Sequence, residues 1–111
     1  MDRLKIKRAL VLFTAAIVLL ALARTVYSFL RFNSVAAKFD SVQEGQSWDS
    51  VLVVLGKPNY HEGSCLQDLS GPRCKKELVY SHPFAPWIPE YYVIDFSADS
   101  RVTSKVNLIS P

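Results

Sequence analysis

Two histidines and two cysteines in the middle of the chain have the chemistry to bind a metal ion. They are His61, Cys65, Cys74 and His82. A zinc site usually contains a close pair of ligands, such as C-x-x-C or H-x3-H, and the separations here contain no such pair. In an oxidising compartment the two cysteines would instead close a loop of about ten residues as a disulfide. The spacing therefore favours a disulfide, with free thiols and a metal site as the alternatives.

Catalytic chemistry requires a nucleophile with a base, a pair of carboxylates or a metal cluster held in a pocket. The side chains of this chain that could act in catalysis do not form any of these sets. Asp95 and Asp99 lie on or beside a predicted hairpin, and Ser47 lies where a helix begins, so that its hydroxyl is expected to cap backbone N–H groups. The sequence also contains no Gly-rich phosphate loop. We expect no enzymatic activity, no cofactor and no bound metal.

The N-terminal segment of the chain predicts the cellular compartment in which these residues lie. Residues 9–23, ALVLFTAAIVLLALA, are uncharged and follow the basic octapeptide MDRLKIKR. A helix of that length spans about 22 Å, short of the ~30 Å hydrocarbon core, and extension to residue 30 closes the gap if Arg24 directs its guanidinium to the headgroups. We therefore predict a cytoplasmic tail at 1–8 and a transmembrane helix at 9–30, with Arg8, Arg24 and Tyr27 at the membrane interfaces.

The orientation of this helix follows from the basic residues near its ends. Four of them precede the span within eight residues, which favours a cytoplasmic N-terminus and places residues 31–111 outside the cytoplasm. Ala21-Leu22-Ala23 also matches the pattern that signal peptidase accepts. The alternative is therefore a secreted periplasmic inhibitor or ligand-binding module that is released after Ala23.

The net charge of +3 is distributed unevenly along the chain. Residues 1–32 carry six Lys or Arg and one Asp, whereas residues 33–111 carry seven Lys or Arg and nine Asp or Glu. The basic excess belongs to the membrane-entry segment, and the remainder is slightly acidic. A nucleic-acid partner is therefore not expected, because the soluble part has no positive face to attract phosphates.

The soluble part predicts two helices followed by three strands. Val35, Phe39 and Val42 repeat at helical spacing, and a second helix has Ser47 as its N-cap and Gly56 as its stop signal. After the cysteines the period becomes two, with a turn at residues 98–100, which is typical of an antiparallel sheet covered on one face. The inward-facing residues are predicted to be Leu78, Tyr80, Tyr92, Ile94, Phe96, Val102, Val106 and Leu108, and the outward-facing ones Thr103, Lys105 and Asn107.

A proline-rich segment, HPFAPWIPE at residues 82–90, separates the first two of these strands. Its prolines exclude it from the interior of a sheet. Phe84, Trp87 and Ile88 would then either fold back as a lid on the small core or form a binding surface. Aromatic side chains on a proline-restricted backbone supply a large contact area at a low cost in entropy. We take these three residues as the candidate contact with a protein partner.

The segment FDSVQEGQSWDSVLVVLGKP, Phe39–Pro58, resembles the signature of the SmpA/OmlA family, the BamE-like small proteins of the bacterial cell envelope. In that signature an aromatic and an aliphatic residue precede Gly, a hydroxyl residue caps a short helix, and Leu-Gly-x-Pro ends it. The resemblance implies an α+β domain over about residues 36–109, with two helices packed on a three-stranded antiparallel sheet.

The function that this resemblance implies is non-catalytic binding of other envelope proteins. No cysteine follows the apolar run as a site for a lipid anchor, so the attachment expected here is the helix itself. Together these features predict a single-pass inner-membrane protein whose periplasmic BamE-like domain binds an envelope protein partner, in cell-envelope or outer-membrane protein assembly. Membrane lipid is the second expected partner.

Overall fold

The structure is a computed structural model of the 111-residue chain, and it describes residues 2–66, 74–85 and 87–109. The central part of the segment between the two cysteines, and Pro86 of the proline-rich segment, lie outside the described residues. Two helices and four strands are described. They are α1 (Asp2–Phe39), α2 (Trp48–Leu55), β1 (His61–Gly63), β2 (Lys76–Ser81), β3 (Glu90–Phe96) and β4 (Val102–Ile109). The α+β class is therefore confirmed.

Helix α1 is continuous over 38 residues, a length of about 57 Å. Every residue from 2 to 24 is exposed, whereas Phe32, Val35 and Phe39 are buried in the domain. Of the three residues predicted at helical spacing, Val35 and Phe39 are confirmed as buried helix residues, whereas Val42 is buried but follows the end of α1. The boundary predicted between the span and the domain, after residue 30, falls inside this unbroken helix.

Helix α2 has the two end signals predicted from the sequence. Ser47 is the N-cap, and its side-chain oxygen accepts a hydrogen bond from the backbone N–H of Ser50. Gly56 ends the helix with φ of 82°, a conformation that residues with a Cβ rarely adopt. Val51 and Leu55 are the buried residues of the helix.

The sheet is an antiparallel meander in the order β1-β2-β3-β4. Strands β2, β3 and β4 correspond to the three predicted strands, but the sheet has four strands, so the predicted number is wrong. The additional strand, His61–Gly63, pairs through all three of its residues with Val79, Leu78 and Glu77 of β2. It is too short and too polar to show an alternating pattern, so its strand conformation depends on this pairing.

The predicted inward face of β4 is also wrong beyond its first residue. Val102 pairs with Phe96, but the next pair is Ser104 with Asp95, so a β-bulge adds one residue to β4. Because side chains alternate along a strand, the extra residue moves all later side chains to the opposite face. Val106 is accordingly 39% exposed, whereas Val102 is 3% exposed. Lys105, predicted to point outward, lies on the helix side and donates a hydrogen bond to the carbonyl oxygen of Phe39 at 2.9 Å.

The helices cover one face of the sheet. The core there consists of Phe32, Val35, Phe39, Val42, Val51, Leu55, Leu78, Tyr80, Tyr92, Ile94, Phe96 and Val102. The opposite face is not open, contrary to the prediction of a sheet covered on one side, because Glu77, Val79 and Val93 are fully buried. Leu66, which directly follows Cys65, supplies part of this cover, because its backbone N–H donates to Oε1 of Glu77 at 2.6 Å.

Candidate functional site

The exposed half of α1 leaves the domain at one end of the sheet, which we call the junction. Phe29 of α1 contacts His82 and Phe84, which follow directly after β2. The other end of the sheet lies past the end of α1, where the backbone N–H of Trp48 donates to the carbonyl oxygen of Ser100. The proline-rich segment is therefore at the junction, beside the last residues of the predicted span.

Aromatic rings connect α1 to this segment. The rings of Phe29 and Phe84 meet edge to face with their centroids 5.0 Å apart, and the ring of His82 lies 5.4 Å from Phe29 and 5.0 Å from Phe32. Tyr92 of β3 extends the cluster, with its centroid 5.4 Å from that of Phe32. Edge-to-face pairs of this kind contribute about 0.5–1.5 kcal/mol each beyond the area they bury. The segment is therefore fixed to the helix.

Local hydrogen bonds also define the conformation of the segment. Nδ1 of His82 accepts from the backbone N–H of Phe84 at 3.0 Å, and the backbone N–H of His82 donates to the carbonyl oxygen of Glu90 at 2.9 Å. The backbone N–H of Ile88 donates to the carbonyl oxygen of Phe84 at 3.1 Å. Backbone hydrogen bonds therefore hold Phe84 and Ile88, two of the candidate contact residues, which lowers the conformational entropy lost when they bind.

The three candidate contact residues are exposed to different extents. Trp87 is 85% exposed, and Phe84 and Ile88 are each 44% exposed. Trp87 therefore does not act as a lid on the core, which was one of the two alternatives. Phe84 uses one side of its ring against Phe29 and keeps the remainder accessible.

A cleft of about 90 Å³ lies on another side of α1 at the junction, between the helix and the residues that follow α2. Arg31 extends across it and donates from Nη2 to the carbonyl oxygen of Lys57 at 2.8 Å. Its guanidinium also lies 6.0 Å from the centroid of the Tyr27 ring. The hydroxyl of Tyr80 donates to the carbonyl oxygen of Gly56 at 2.6 Å. Arg31 and Lys57 therefore place two positive charges at the cleft. The two hydrogen bonds join α1 and β2 to the residues at the end of α2.

The environment of Tyr80 keeps its hydroxyl protonated. Burial raises the pKa of Tyr80 above its ordinary value, and the nearby Arg31 lowers it by a smaller amount. The hydroxyl therefore remains a hydrogen-bond donor to Gly56 across the physiological range. Sequence reasoning missed this cleft, because Arg31 and Lys57 are 26 positions apart and share no motif.

The predicted interface residues lie on the exposed part of α1. Arg8, Arg24 and Tyr27 all have exposed side chains. Among the described residues, α1 is the one helix long and apolar enough to cross a membrane by length and composition. No residue of its most apolar stretch is buried against the domain.

The two cysteines form a disulfide, as predicted, with their Cα atoms 6.1 Å apart. Glu77 lies close enough to the sulfurs for the three side chains to form a possible metal site, but sulfurs bonded to each other are not available as thiolate ligands. Nε2 of His61 is hydrogen-bonded to the carbonyl oxygen of Ser64 and lies 3.8 Å from Glu77. The arrangement around Cys65 and Cys74 is that of a structural crosslink.

Comparison of the chain with models of protein families, with curated proteins and with solved structures finds no match. The assignment of a function therefore depends on the geometry of α1 and of the junction, together with the sequence patterns described above.

Proposed function

We propose that this protein is a single-pass inner-membrane protein whose periplasmic α+β domain is a non-enzymatic protein-interaction module of the bacterial cell envelope. The observation that carries this proposal is the structure of α1. The same unbroken helix is exposed and apolar over residues 9–23 and contributes Phe32, Val35 and Phe39 to the domain core near its C-terminal end. The resemblance of Phe39–Pro58 to the SmpA/OmlA signature supports the envelope as its location.

The exposed half of α1 would be unstable in water. Nine Leu, Ile, Val or Phe side chains lie between residues 9 and 23, and all of them are exposed. Burial of each such side chain is worth about 1.5–3 kcal/mol, and soluble monomers rarely expose an apolar patch larger than a few hundred Å². A lipid bilayer removes all of these side chains from water at once, and helical backbone satisfies its own hydrogen bonds there.

The connection between span and domain determines how the module is presented. No linker separates them, because the helix continues from the exposed half to Phe39. The aromatic contacts at the junction and the bond from Arg31 to Lys57 then hold the domain against the helix. The domain is therefore presented at a fixed height and angle beside the membrane, in contrast to a domain on a flexible tether.

The surface that this module offers to a partner is the outer edge of β4. Its first residue, Val102, exchanges backbone hydrogen bonds with the segment at Gly45 and Gln46. Beyond it, no strand among the described residues pairs with this edge, and Val106 exposes an apolar side chain there. An open edge strand pairs readily with an extended segment of another chain. We expect the partner to contribute such a segment.

The placement of the polar residues considered for catalysis supports a non-enzymatic role. Asp95 is buried on the face away from the helices and accepts a hydrogen bond from Ser104 at 2.9 Å. Asp99 is exposed on the β3–β4 turn, where it bonds to Ser97. Ser47 uses its hydroxyl as a helix cap. These groups perform structural roles at separate places and do not converge on a pocket.

Photo-crosslinking in intact cells tests the interaction. A photoreactive amino acid at Val106 should give a discrete adduct with one envelope protein. The same amino acid at Val53, an 85% exposed apolar position on α2, is the matched control and should not. Equal adducts at both positions, or none at Val106 in a chain recovered with the membrane, would remove the support for a β4 docking surface.

A further inference from the structure

We propose that the proline-rich segment is a second membrane contact, which inserts Phe84, Trp87 and Ile88 into the interfacial layer of the bilayer that α1 crosses. This inference rests on the proposed membrane span. It changes the ligand of these residues from a protein to lipid, and it gives the domain two points of attachment to one membrane surface.

The depth of the segment follows from its contact with α1. Phe29 is 20 residues beyond Ala9, a rise of about 30 Å, which equals the thickness of the hydrocarbon core. If Ala9 lies at the cytoplasmic boundary of that core, Phe29 lies at the opposite boundary. Phe84 packs against Phe29 with ring centroids 5.0 Å apart, so Phe84 lies at the same boundary.

The side chains at this depth are those that favour the interface. Tryptophan is enriched at the boundary between headgroups and hydrocarbon, where its ring contacts the chains and its N–H contacts the headgroups. Trp87 is 85% exposed and is therefore free to take that position. Phe84 and Ile88, each partly exposed, border it with apolar surface. Exposure of these side chains to water has no structural benefit for the domain, whereas the interface accommodates all three.

The charges around the segment are compatible with this placement. Residues 82–89 contain no Lys, Arg, Asp or Glu, so insertion does not bring a fixed charge into the lipid. The neighbouring cations on α1 and after α2 are Arg24, Arg31 and Lys57, whose exposed or partly exposed groups would lie at the level of the lipid phosphates. Glu90, the acidic group nearest in sequence, begins β3 on the domain side of the segment.

A protein partner is a weaker explanation of the same surface. The segment lies beside the exposed apolar part of α1, where Val26, Tyr27 and Leu30 are each more than half exposed. A soluble partner that covered Trp87 would have to occupy the space of the lipid next to these helix residues. Lipid covers both surfaces continuously.

The two tryptophans of the chain provide an internal comparison for a test. Trp48 is at the opposite end of the domain, where it packs on Phe96 with ring centroids 4.7 Å apart. Wild-type protein contains both tryptophans, and Trp87→Phe retains only Trp48. Because Trp87 is highly exposed, this substitution leaves the core intact. The difference in fluorescence between the two proteins is the signal of Trp87.

The experiment reconstitutes the full chain in phosphatidylcholine vesicles whose acyl chains carry bromine close to the headgroup, with unbrominated vesicles as the reference. We expect the Trp87 signal to fall by roughly half or more in the brominated vesicles, because bromine quenches fluorophores that it contacts and an interfacial tryptophan lies at the depth of the bromine. The fluorescence of Trp87→Phe should be quenched little, because Trp48 packs on Phe96 at the opposite end of the domain. Triple substitution of Phe84, Trp87 and Ile88 by Ser should leave the protein incorporated but increase the rotational freedom of the domain, measured by a spin label at Ala98.

Three results would overturn the inference or its basis in distinguishable ways. If the chain floats with the vesicles but its Trp87 is unquenched, the second contact is wrong and the span stands. If wild type and Trp87→Phe lose the same absolute fluorescence intensity in the brominated vesicles, the quenched residue is Trp48 and the assigned orientation of the domain is wrong. If the chain does not float with vesicles at all, the proposed function itself fails.

Discussion

The guanidinium of Arg31 donates a hydrogen bond to the carbonyl oxygen of Lys57, 2.8 Å away and 26 positions further along the chain. Arg31 is one residue beyond the predicted span, and Lys57 directly follows the residue that ends α2. A single side chain thus joins α1, at the end of its predicted span, to the residues that end the second helix of the domain. This bond and the aromatic contacts of Phe29 fix the orientation of the domain relative to the exposed part of α1.

Substitution of Arg31 by Met tests that connection, since Met retains the alkyl stem and removes the donors. Arg31→Met should lower the free energy of unfolding by about 1 kcal/mol, the usual net contribution of a hydrogen bond, because this bond is exposed to solvent. Urea unfolding in detergent micelles measures it. Arg24→Met, on the exposed part of α1, is the control and should leave the domain transition unchanged. Equal midpoints for the two variants would contradict the connection.

Gly56→Ala tests the same contact from the other side. Gly56 has a φ of +82°, and an added Cβ would lie 3.0 Å from Nη2 of Arg31. Because ψ of Gly56 is −176°, residues with a Cβ rarely adopt this conformation, and the backbone strain costs about 1–3 kcal/mol. Displacement of the guanidinium adds to it. In a double-mutant cycle with Arg31→Met the two losses should therefore be less than additive. Strict additivity would show that the two residues act independently.

Tyr80 should make the stability of the domain depend on alkaline pH. Burial raises the pKa of Tyr80 in the folded protein, so its contribution is complete below the unfolded pKa of about 10 and is lost as pH rises from there towards the folded value. Tyr80→Phe should remove this part of the alkaline loss and cost about 1 kcal/mol at neutral pH through the missing bond to Gly56. Unfolding curves between neutral and alkaline pH measure both effects. Tyr60→Phe, at an exposed position, is the control and should leave the stability at neutral pH unchanged.

The disulfide should contribute measurably to the stability of the domain. Replacement of both Cys65 and Cys74 by Ser should lower the free energy of unfolding by about 2.7 kcal/mol, the chain-entropy value for a loop of about ten residues. Thiol titration of native protein should find no free thiol before reduction. An unchanged unfolding midpoint would indicate that the crosslink does not restrict the unfolded chain.

The elements that the sequence predicts correctly are those with a local physical signal. Ser47 and Gly56 mark the ends of α2, because capping and positive φ depend on the residue itself. The apolar run of α1 and the alternation of β2 and β3 likewise depend on neighbouring residues. The pairing of Cys65 with Cys74 follows from composition, since the chain contains two cysteines.

The features that the sequence does not predict depend on long-range pairing. β1 is a strand because His61–Gly63 lies against β2, and its own composition does not indicate one. The bulge in β4 reverses the facing of Lys105 and Val106 without interrupting the alternating pattern from which their facing was predicted. The junction requires Phe29 to meet Phe84, 55 positions later, and only the folded topology brings these residues together.

The topology of the chain is tested most directly by labelling the basic tail and the β3–β4 turn with a maleimide that cannot cross membranes. Ala98→Cys introduces a thiol on the exposed β3–β4 turn, Lys5→Cys introduces one in the basic tail, and the native cysteines are already bonded to each other. In intact spheroplasts we expect labelling of Ala98→Cys, with labelling of Lys5→Cys only after lysis. Labelling of neither variant before lysis, or recovery of the full chain in the soluble fraction, would contradict this topology.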